Sequence, residues 1–219
     1  LHGALGIEAY RDMGYLPEAI RNYLLRLGWS HGDDEIISTA QAVEWFDLGG
    51  VGRSPSRFDF AKLDNLNAHY LREADDGYLA RDAAQRLNVT DTAIVDRLQR
   101  AMPGLKARAK TLKELAENAA FYVTSRPIPL TDKAKALLTP DAKALLGALA
   151  AALAQATDWS AAGLEAQVRA FVEAQNVKLG QVAQPLRAAL AGSTTSPGIF
   201  EVMEILGQSE CLGRIEDCT

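Results

Sequence analysis

Basic side chains without acidic neighbours form the clearest chemical signal in the sequence. From Arg100 to Lys113 there are five Lys or Arg residues and no Asp or Glu. Such a local excess of positive charge favours phosphate contacts, and an arginine fork can hydrogen-bond the edge of an unstacked base. A solvated face of an amphipathic helix is the alternative, and charge alone leaves both interpretations open. The basic residues are Arg100, Lys106, Arg108, Lys110 and Lys113.

A second candidate site combines Arg187 with the small-residue segment 192–198. Ser196, Pro197 and Gly198 are typical of a helix start, where the first backbone N–H groups lack intrahelical partners. Ser196 is placed to cap those groups, but the same helix end could accept a base or a phosphate. Taken alone, the pattern is more typical of an ordinary Ser-Pro helix cap.

Residues for covalent chemistry or metal binding form no recognisable pattern. The sequence lacks a phosphate-binding glycine loop, a dinucleotide fingerprint, a zinc-protease motif and a nucleophile elbow. Its three histidines are scattered, and Cys211 and Cys218 have no metal-ligand spacing. We therefore expect no catalytic residue and no metal site. The net charge of −5 excludes a uniformly basic protein, so nucleic-acid contact requires a local patch.

The composition favours helices as the elements that position these residues. The 37 Ala and 29 Leu residues far outnumber the 19 Val and Ile residues, and Ala and Leu lose little side-chain freedom in a helix. Residues 1–72 are predicted to form short helices, with Pro17 in a first helical position, a capping box at Ser38 and Gln41, and Asp59 as a cap. In the helix after Pro17, the predicted buried face contains Ile20, Tyr23, Leu24 and Leu27.

The remaining two thirds of the chain also show helical patterns. Three helices are predicted in 75–126, with a turn at Pro103-Gly104 and a capping box at Thr111 and Glu114. The segment 127–131 is predicted to be extended, since proline disfavours helix at the residue before it. Helices are then predicted over about 140–155, from Asp158 or Ser160 to Gln175, and from Ser196 and Ser209. The fold class predicted is all-α.

Four segments, in this order and spacing, resemble bacterial glutamyl-tRNA synthetases. They are RDMGYLPEAIRNYLLRLGWSHGD (11–33), FDLGGVGRSPSRFDFAKLDNLNAHYLR (46–72), LKARAKTLKEL (105–115) and GQVAQPLRAALAGSTTSPGIFEVMEILG (180–207). His2-Gly3-Ala4 also matches the end of the lysine-rich ATP-site loop of that family, in which arginine stands at the place of Leu1. The resemblance implies an all-α stem-contact bundle (1–72) followed by two anticodon-binding subdomains (73–127 and 128–219).

The resemblance also implies roles for the basic residues. Arg187, Ser196, Pro197 and Gly198 match the family segment that recognises the second and third anticodon bases, and Arg108 is the best match for recognition of the first base. Four further residues of the basic run are expected to position phosphates: Arg100, Lys106, Lys110 and Lys113.

The function implied is the tRNA-binding part of a class I glutamate–tRNA ligase, which attaches glutamate to tRNA with ATP. The catalytic dinucleotide fold with its ATP and glutamate sites is expected upstream, so this segment alone is expected to be inactive and to carry no cofactor. Expected partners are glutamate tRNA and, as an open question, glutamine tRNA. We expect no DNA, no membrane, a monomer and a cytoplasmic location. The alternative is a stand-alone helical RNA- or protein-interaction module without catalysis.

Overall fold

The computed structural model describes residues 5–52 and 57–219. Within these ranges the regular structure consists of 13 α-helices and one 3-10 turn, and the only β-type pairing is an isolated bridge between Trp29 and Val51. The all-α prediction is confirmed. The segment from His2 to Ala4, which matches the ATP-site loop, lies outside the described residues together with Leu1.

The first four helices form the N-terminal bundle, and α3 and α4 begin at side-chain caps. They are α1 (Ile7–Met13), α2 (Pro17–Gly28), α3 (Thr39–Trp45) and α4 (Phe60–Glu73). The capping box at Ser38 and Gln41 is confirmed, because each side chain accepts the other residue's backbone N–H. Asp59 caps α4 as predicted, accepting from the N–H groups of Ala61 and Lys62.

The buried face of α2 differs in part from the prediction. Ile20 and Tyr23 are buried, but the Leu24 side chain is 53% exposed and Asn22 is buried instead. The Asn22 amide accepts the Ile37 N–H and donates to the Glu35 carbonyl. These hydrogen bonds fasten the loop before α3 onto α2, and therefore the polar Asn22 lies on the covered side.

The middle of the chain forms three helices and a 3-10 turn: α5 (Asp76–Arg86), α6 (Thr92–Lys106), α7 (Leu112–Ala119) and the turn Ala120–Tyr122. The predicted turn at Pro103-Gly104 is wrong, since both residues lie inside α6. A Cβ on Gly104 would lie 3.1 Å from the Pro197 Cβ. Packing of Met102 and Leu105 in the core keeps this last turn helical despite the proline.

Six helices follow: α8 (Asp132–Leu137), α9 (Pro140–Leu153), α10 (Ala161–Ala174), α11 (Leu179–Ala191), α12 (Ile199–Leu206) and α13 (Gln208–Glu216). Thr139 and Ser160 cap α9 and α10. The predicted starts at Ser196 and Ser209 are wrong, because Gly198 and Gly207 precede the first residues of α12 and α13.

The apolar core joins the two segments that the sequence places in separate subdomains. One cluster of buried side chains runs from Leu71 to Cys218, with Leu16 and Ala19 added from the N-terminal helices. Within the second of these segments, the indole N–H of Trp159, just before α10, donates to the Met203 carbonyl of α12 at 2.9 Å. A smaller cluster in the N-terminal bundle contains Tyr15, Ile20, Tyr23, Leu63 and Leu66.

Candidate nucleic-acid interface

A cavity of about 420 Å³ lies between the turn that connects α6 to α7 and the turn that connects α11 to α12. Arg108 lines it on the first side, and Ser196 and Pro197 line it on the second. Thr124 and Thr131 also line the cavity and contribute hydroxyl groups. The fold thus brings together parts of the two candidate sites that are nearly ninety residues apart in sequence.

Arg187 lies on α11 next to Ser196 and is partly buried. Its Nε donates to the Ser196 Oγ at 2.9 Å, and that hydroxyl donates to the Pro197 carbonyl at 2.8 Å. Burial, together with the nearby charge of Arg108, lowers the pKa of the Arg187 guanidinium. In the described part of the chain no carboxylate lies within 4.0 Å of the Arg187 guanidinium, so its charge is available to a ligand.

Ser196 does not cap α12, because Gly198 occupies the cap position two residues further on and has no side chain to offer. The Ser196 hydroxyl instead accepts from Arg187 and donates to Pro197. The first backbone N–H groups of α12 therefore have no side-chain cap.

Arg108 is exposed on residues 107–111, which we name the Arg108 turn and which connect α6 to α7. Thr111 caps α7 by accepting the Glu114 N–H, and the Glu114 carboxylate accepts the Lys110 N–H at 2.8 Å. The second bond of the predicted capping box thus goes to Lys110 rather than to Thr111. Glu114 and Glu117 place acidic groups on the cavity wall opposite Ser196.

Gly192 closes the cavity on the side of the 127–131 segment. Its φ of +68° is in the left-handed region, and a Cβ there would clash with the Pro129 carbonyl oxygen. The Gly192 carbonyl in turn accepts the Thr131 N–H at 2.9 Å. Only glycine satisfies both requirements without displacing the extended segment that carries Thr131.

The four residues predicted to position phosphates differ in their surroundings. Lys106 forms an ion pair with Asp76 at 2.7 Å and donates to the Ala74 carbonyl at 3.0 Å. Its charge is compensated, which does not favour the predicted phosphate contact. Arg100 donates to the Ile205 carbonyl at 3.4 Å. Lys110 and Lys113 are exposed beside Arg108, and no ion pair involves either of them within the described ranges.

Sequence reasoning missed Thr124 and Thr131 as cavity residues. The extended segment 127–131 was predicted as a boundary, and its prolines alone gave no indication that it faces the turn at Gly192. In residues 5–52 and 57–219 no three His, Cys, Asp or Glu side chains are grouped so that they could bind a metal. No helix in that part of the chain is long and apolar enough to cross a membrane.

Comparison with known protein families gives matches for two ranges of the chain. Residues 71–219, which contain the cavity and both arginines, match the family described as anticodon binding domain. The chain belongs to this family. Residues 2–65 match the family described as the catalytic domain of class I tRNA synthetases for E and Q.

The curated relatives of this chain are named as glutamate–tRNA ligases. The chain is 58% identical to glutamate–tRNA ligase 2 of Parvibaculum lavamentivorans over 99% of its own length and 45% of the relative's. It is 60% identical to glutamate–tRNA ligase 2 of Paramagnetospirillum magneticum over 99% of its own length and 46% of the relative's. It therefore spans about half the length of these curated relatives.

A solved structure shares the fold. The crystal structure of a glutamate tRNA ligase from Elizabethkingia meningosepticum in complex with its amino acid matches with a TM-score of 0.85 and 28% identity, over 95% of this chain and 42% of that one. The sequence-based assignment to the glutamyl-tRNA synthetase family is thus confirmed.

Proposed function

We propose that this chain recognises the anticodon loop of glutamate tRNA as the tRNA-binding portion of a glutamate–tRNA ligase. One observation carries the proposal: Arg108 lines the cavity and Arg187 bonds to Ser196 on its wall. In the described residues neither arginine is paired with a carboxylate, and the chain belongs to the anticodon-binding family. An anionic or carbonyl-rich ligand would offset their mutual repulsion. An unstacked anticodon offers phosphates and base edges of that kind.

Arg187 is oriented for such recognition by its bond to Ser196. With Nε engaged by the hydroxyl, the two terminal nitrogens are left as a fork for a base edge, and partial burial strengthens the interaction. We assign the second and third bases to Arg187 with Ser196, Pro197 and Gly198, and the first base to Arg108.

The surrounding surface suits the positioning of phosphates. Lys110 and Lys113 are the two exposed lysines next to Arg108, and we propose that they contact the backbone of the anticodon arm. Residues 1–72 are proposed to contact the tRNA stem, while 73–127 and 128–219 form the two parts of the anticodon-binding region.

The chemical steps of the proposed ligase are assigned to the portion of the relatives that this chain does not cover. There glutamate would be activated with ATP and transferred to the tRNA, and no residue of this chain is assigned to hold ATP. Acceptance of glutamine tRNA would depend on the first base, and hence on Arg108. We propose a monomer that acts in the cytoplasm, where the free thiols of Cys211 and Cys218 would stay reduced.

Replacing Arg187 by alanine in the full-length protein tests the proposal. One arginine–base contact corresponds to about 1–3 kcal/mol, so the KM for tRNA should rise roughly tenfold or more while the KM for glutamate stays unchanged. Arg169→Ala is the matched control, because Arg169 is an exposed α10 arginine whose partner is Glu165. Equal tRNA kinetics for both variants would contradict the assignment. Absence of salt-sensitive tRNA binding by the wild type would favour the stand-alone interaction module.

A further inference from the structure

Asn67 connects the N-terminal bundle to the anticodon-binding domain through a fully buried amide. Its side chain on α4 is 0% exposed. Oδ1 accepts the Leu16 N–H at 2.8 Å, and Nδ2 donates to the Lys110 carbonyl at 2.5 Å. The two ends of one amide thus join three segments that are distant in sequence.

The Lys110 carbonyl belongs to the Arg108 turn. Besides the Thr111 cap and the ordinary helix bonds, three hydrogen bonds fix the backbone of this turn and the start of α7. Besides the bond from Asn67, the Lys110 N–H donates to Glu114, and the Leu112 N–H donates to the Gly14 carbonyl at 2.8 Å. Of these, the Asn67 bond is the one made by a side chain of the N-terminal bundle, and it acts two residues from Arg108.

Gly14 brings the two backbones into direct contact beside Asn67. Its φ is +89°, and a Cβ there would lie 2.8 Å from the Leu112 nitrogen and 2.5 Å from the Lys113 nitrogen. A side chain at this position would push the start of α7 away from the N-terminal bundle. Two independent features therefore hold the N-terminal bundle against the start of α7. They are the hydrogen bonds of the Asn67 amide and the absence of a side chain at Gly14.

We propose that Asn67 is a positioning residue for Arg108, which rests on the proposed function of the Arg108 turn. The buried amide fixes the Lys110 carbonyl, and through it the direction in which the Arg108 fork enters the cavity. Recognition of a base edge requires the fork to be held within a fraction of an ångström. By the same bond, the N-terminal bundle sets the geometry of the anticodon site.

The test is a double-mutant cycle between Asn67 and Arg108 in the full chain, with affinity measured for an RNA hairpin that has the anticodon stem and loop of glutamate tRNA. Asn67→Asp keeps the size and the acceptor for Leu16 but places a carboxylate oxygen against the Lys110 carbonyl. We expect Arg108→Ala to raise the Kd about tenfold and Asn67→Asp to raise it roughly three- to tenfold. With Arg108 already replaced, Asn67→Asp should add less than about twofold.

Asn22→Asp is the matched control. Asn22 is 2% exposed and also uses both ends of its amide, but it fastens the 35–37 loop. This variant should lose stability in the same way and leave the hairpin Kd unchanged. Gly14→Ala is a second variant that disturbs the contact between the N-terminal bundle and α7. Its effect on the hairpin Kd should also be non-additive with that of Arg108→Ala. It keeps the test decisive if Asn67→Asp does not fold, as judged by circular dichroism.

The outcomes separate this inference from the proposed function. Additive effects of Asn67→Asp and Arg108→Ala, or an equal loss of affinity in Asn22→Asp, would overturn the positioning role and leave anticodon binding intact. An unchanged Kd for Arg108→Ala would also overturn it. A wild-type chain that does not bind the hairpin would overturn the proposed function, and the positioning role with it.

Discussion

At the scale of single residues, the partner of an arginine decides whether its charge can serve a ligand. Arg187 is held by the neutral hydroxyl of Ser196, so its position is fixed without neutralising its charge. Lys106 shows the opposite case, since its ammonium is paired with Asp76. The sequence around Lys106 and Lys110 does not distinguish the two lysines, because Asp76 reaches Lys106 only through the packing of α5 on α6.

Ser196→Ala is expected to weaken tRNA binding while changing stability little. Loss of the hydroxyl removes the bond that orients Arg187, and the net stability cost of one such bond is about 1 kcal/mol. We expect the Kd for tRNA to rise about threefold or more in a filter-binding titration. Thr194→Ala, two residues away in the same turn, is the control and should bind as the wild type does. Equal Kd values for both variants would show that Arg187 needs no anchor.

At the scale of elements, one buried arginine connects the end of α11 to the end of the 3-10 turn beside the cavity. Arg214 on α13 is 1% exposed and pairs with Glu210 at 2.7 Å. It also donates to the carbonyls of Leu190, near the end of α11, and Thr124, just after the 3-10 turn. Carbonyl groups at helix ends lack intrahelical donors, and Arg214 supplies donors to both cavity walls.

Arg214→Met is expected to lower the free energy of unfolding by roughly 2–4 kcal/mol, because it leaves two buried carbonyls without donors. Urea unfolding followed by circular dichroism measures the change. Arg169→Met is the matched control, since it breaks a similar i, i+4 arginine–glutamate pair on the surface of α10. That exposed pair should contribute less than about 1 kcal/mol. Similar losses in the two variants would contradict the role given to Arg214.

Helix beginnings were predictable from sequence to the extent that their capping is local. Ser38, Asp59, Thr139 and Ser160 each bond a backbone N–H two or three residues ahead, and the pattern is visible in the sequence. Ser196 has the same pattern, but α12 begins later, after Gly198, and the Ser196 hydroxyl bonds Arg187 of another helix instead. The local sequence does not show that this distant arginine uses the hydroxyl.

At the scale of the whole molecule, a net negative charge coexists with a basic patch. The chain carries 28 acidic and 23 basic side chains, yet Arg108, Lys110 and Lys113 are exposed together beside the cavity. The binding of a polyanion therefore depends on these few side chains. The dependence of its affinity on salt concentration reflects how many of them contact phosphates. The shared core from Leu71 to Cys218 was not predictable from sequence, because helical periodicity does not specify which helices pack together.

The double variant Lys110→Ala, Lys113→Ala is expected to reduce the salt dependence of tRNA binding. Each phosphate contact to a single strand contributes about −0.7 to the slope of log K against log salt, so the slope should become shallower by up to about 1.4. Filter binding over a series of salt concentrations measures it. Lys106→Met is the control, because this paired lysine should affect stability and not the slope. If Lys106→Met reduced the salt slope more than the double variant does, the phosphate contact would belong to Lys106 instead of Lys110 and Lys113.

The contact between Trp159 and Met203 also gives the molecule an internal optical probe. Of its three tryptophans, Trp29 and Trp45 lie in the N-terminal bundle, whereas the Trp159 indole bonds to the backbone of α12. That helix begins directly after Gly198, at the edge of the cavity. With Trp29 and Trp45 replaced by phenylalanine, emission would come from Trp159 alone, and its wavelength would report the environment of α12 without an attached dye.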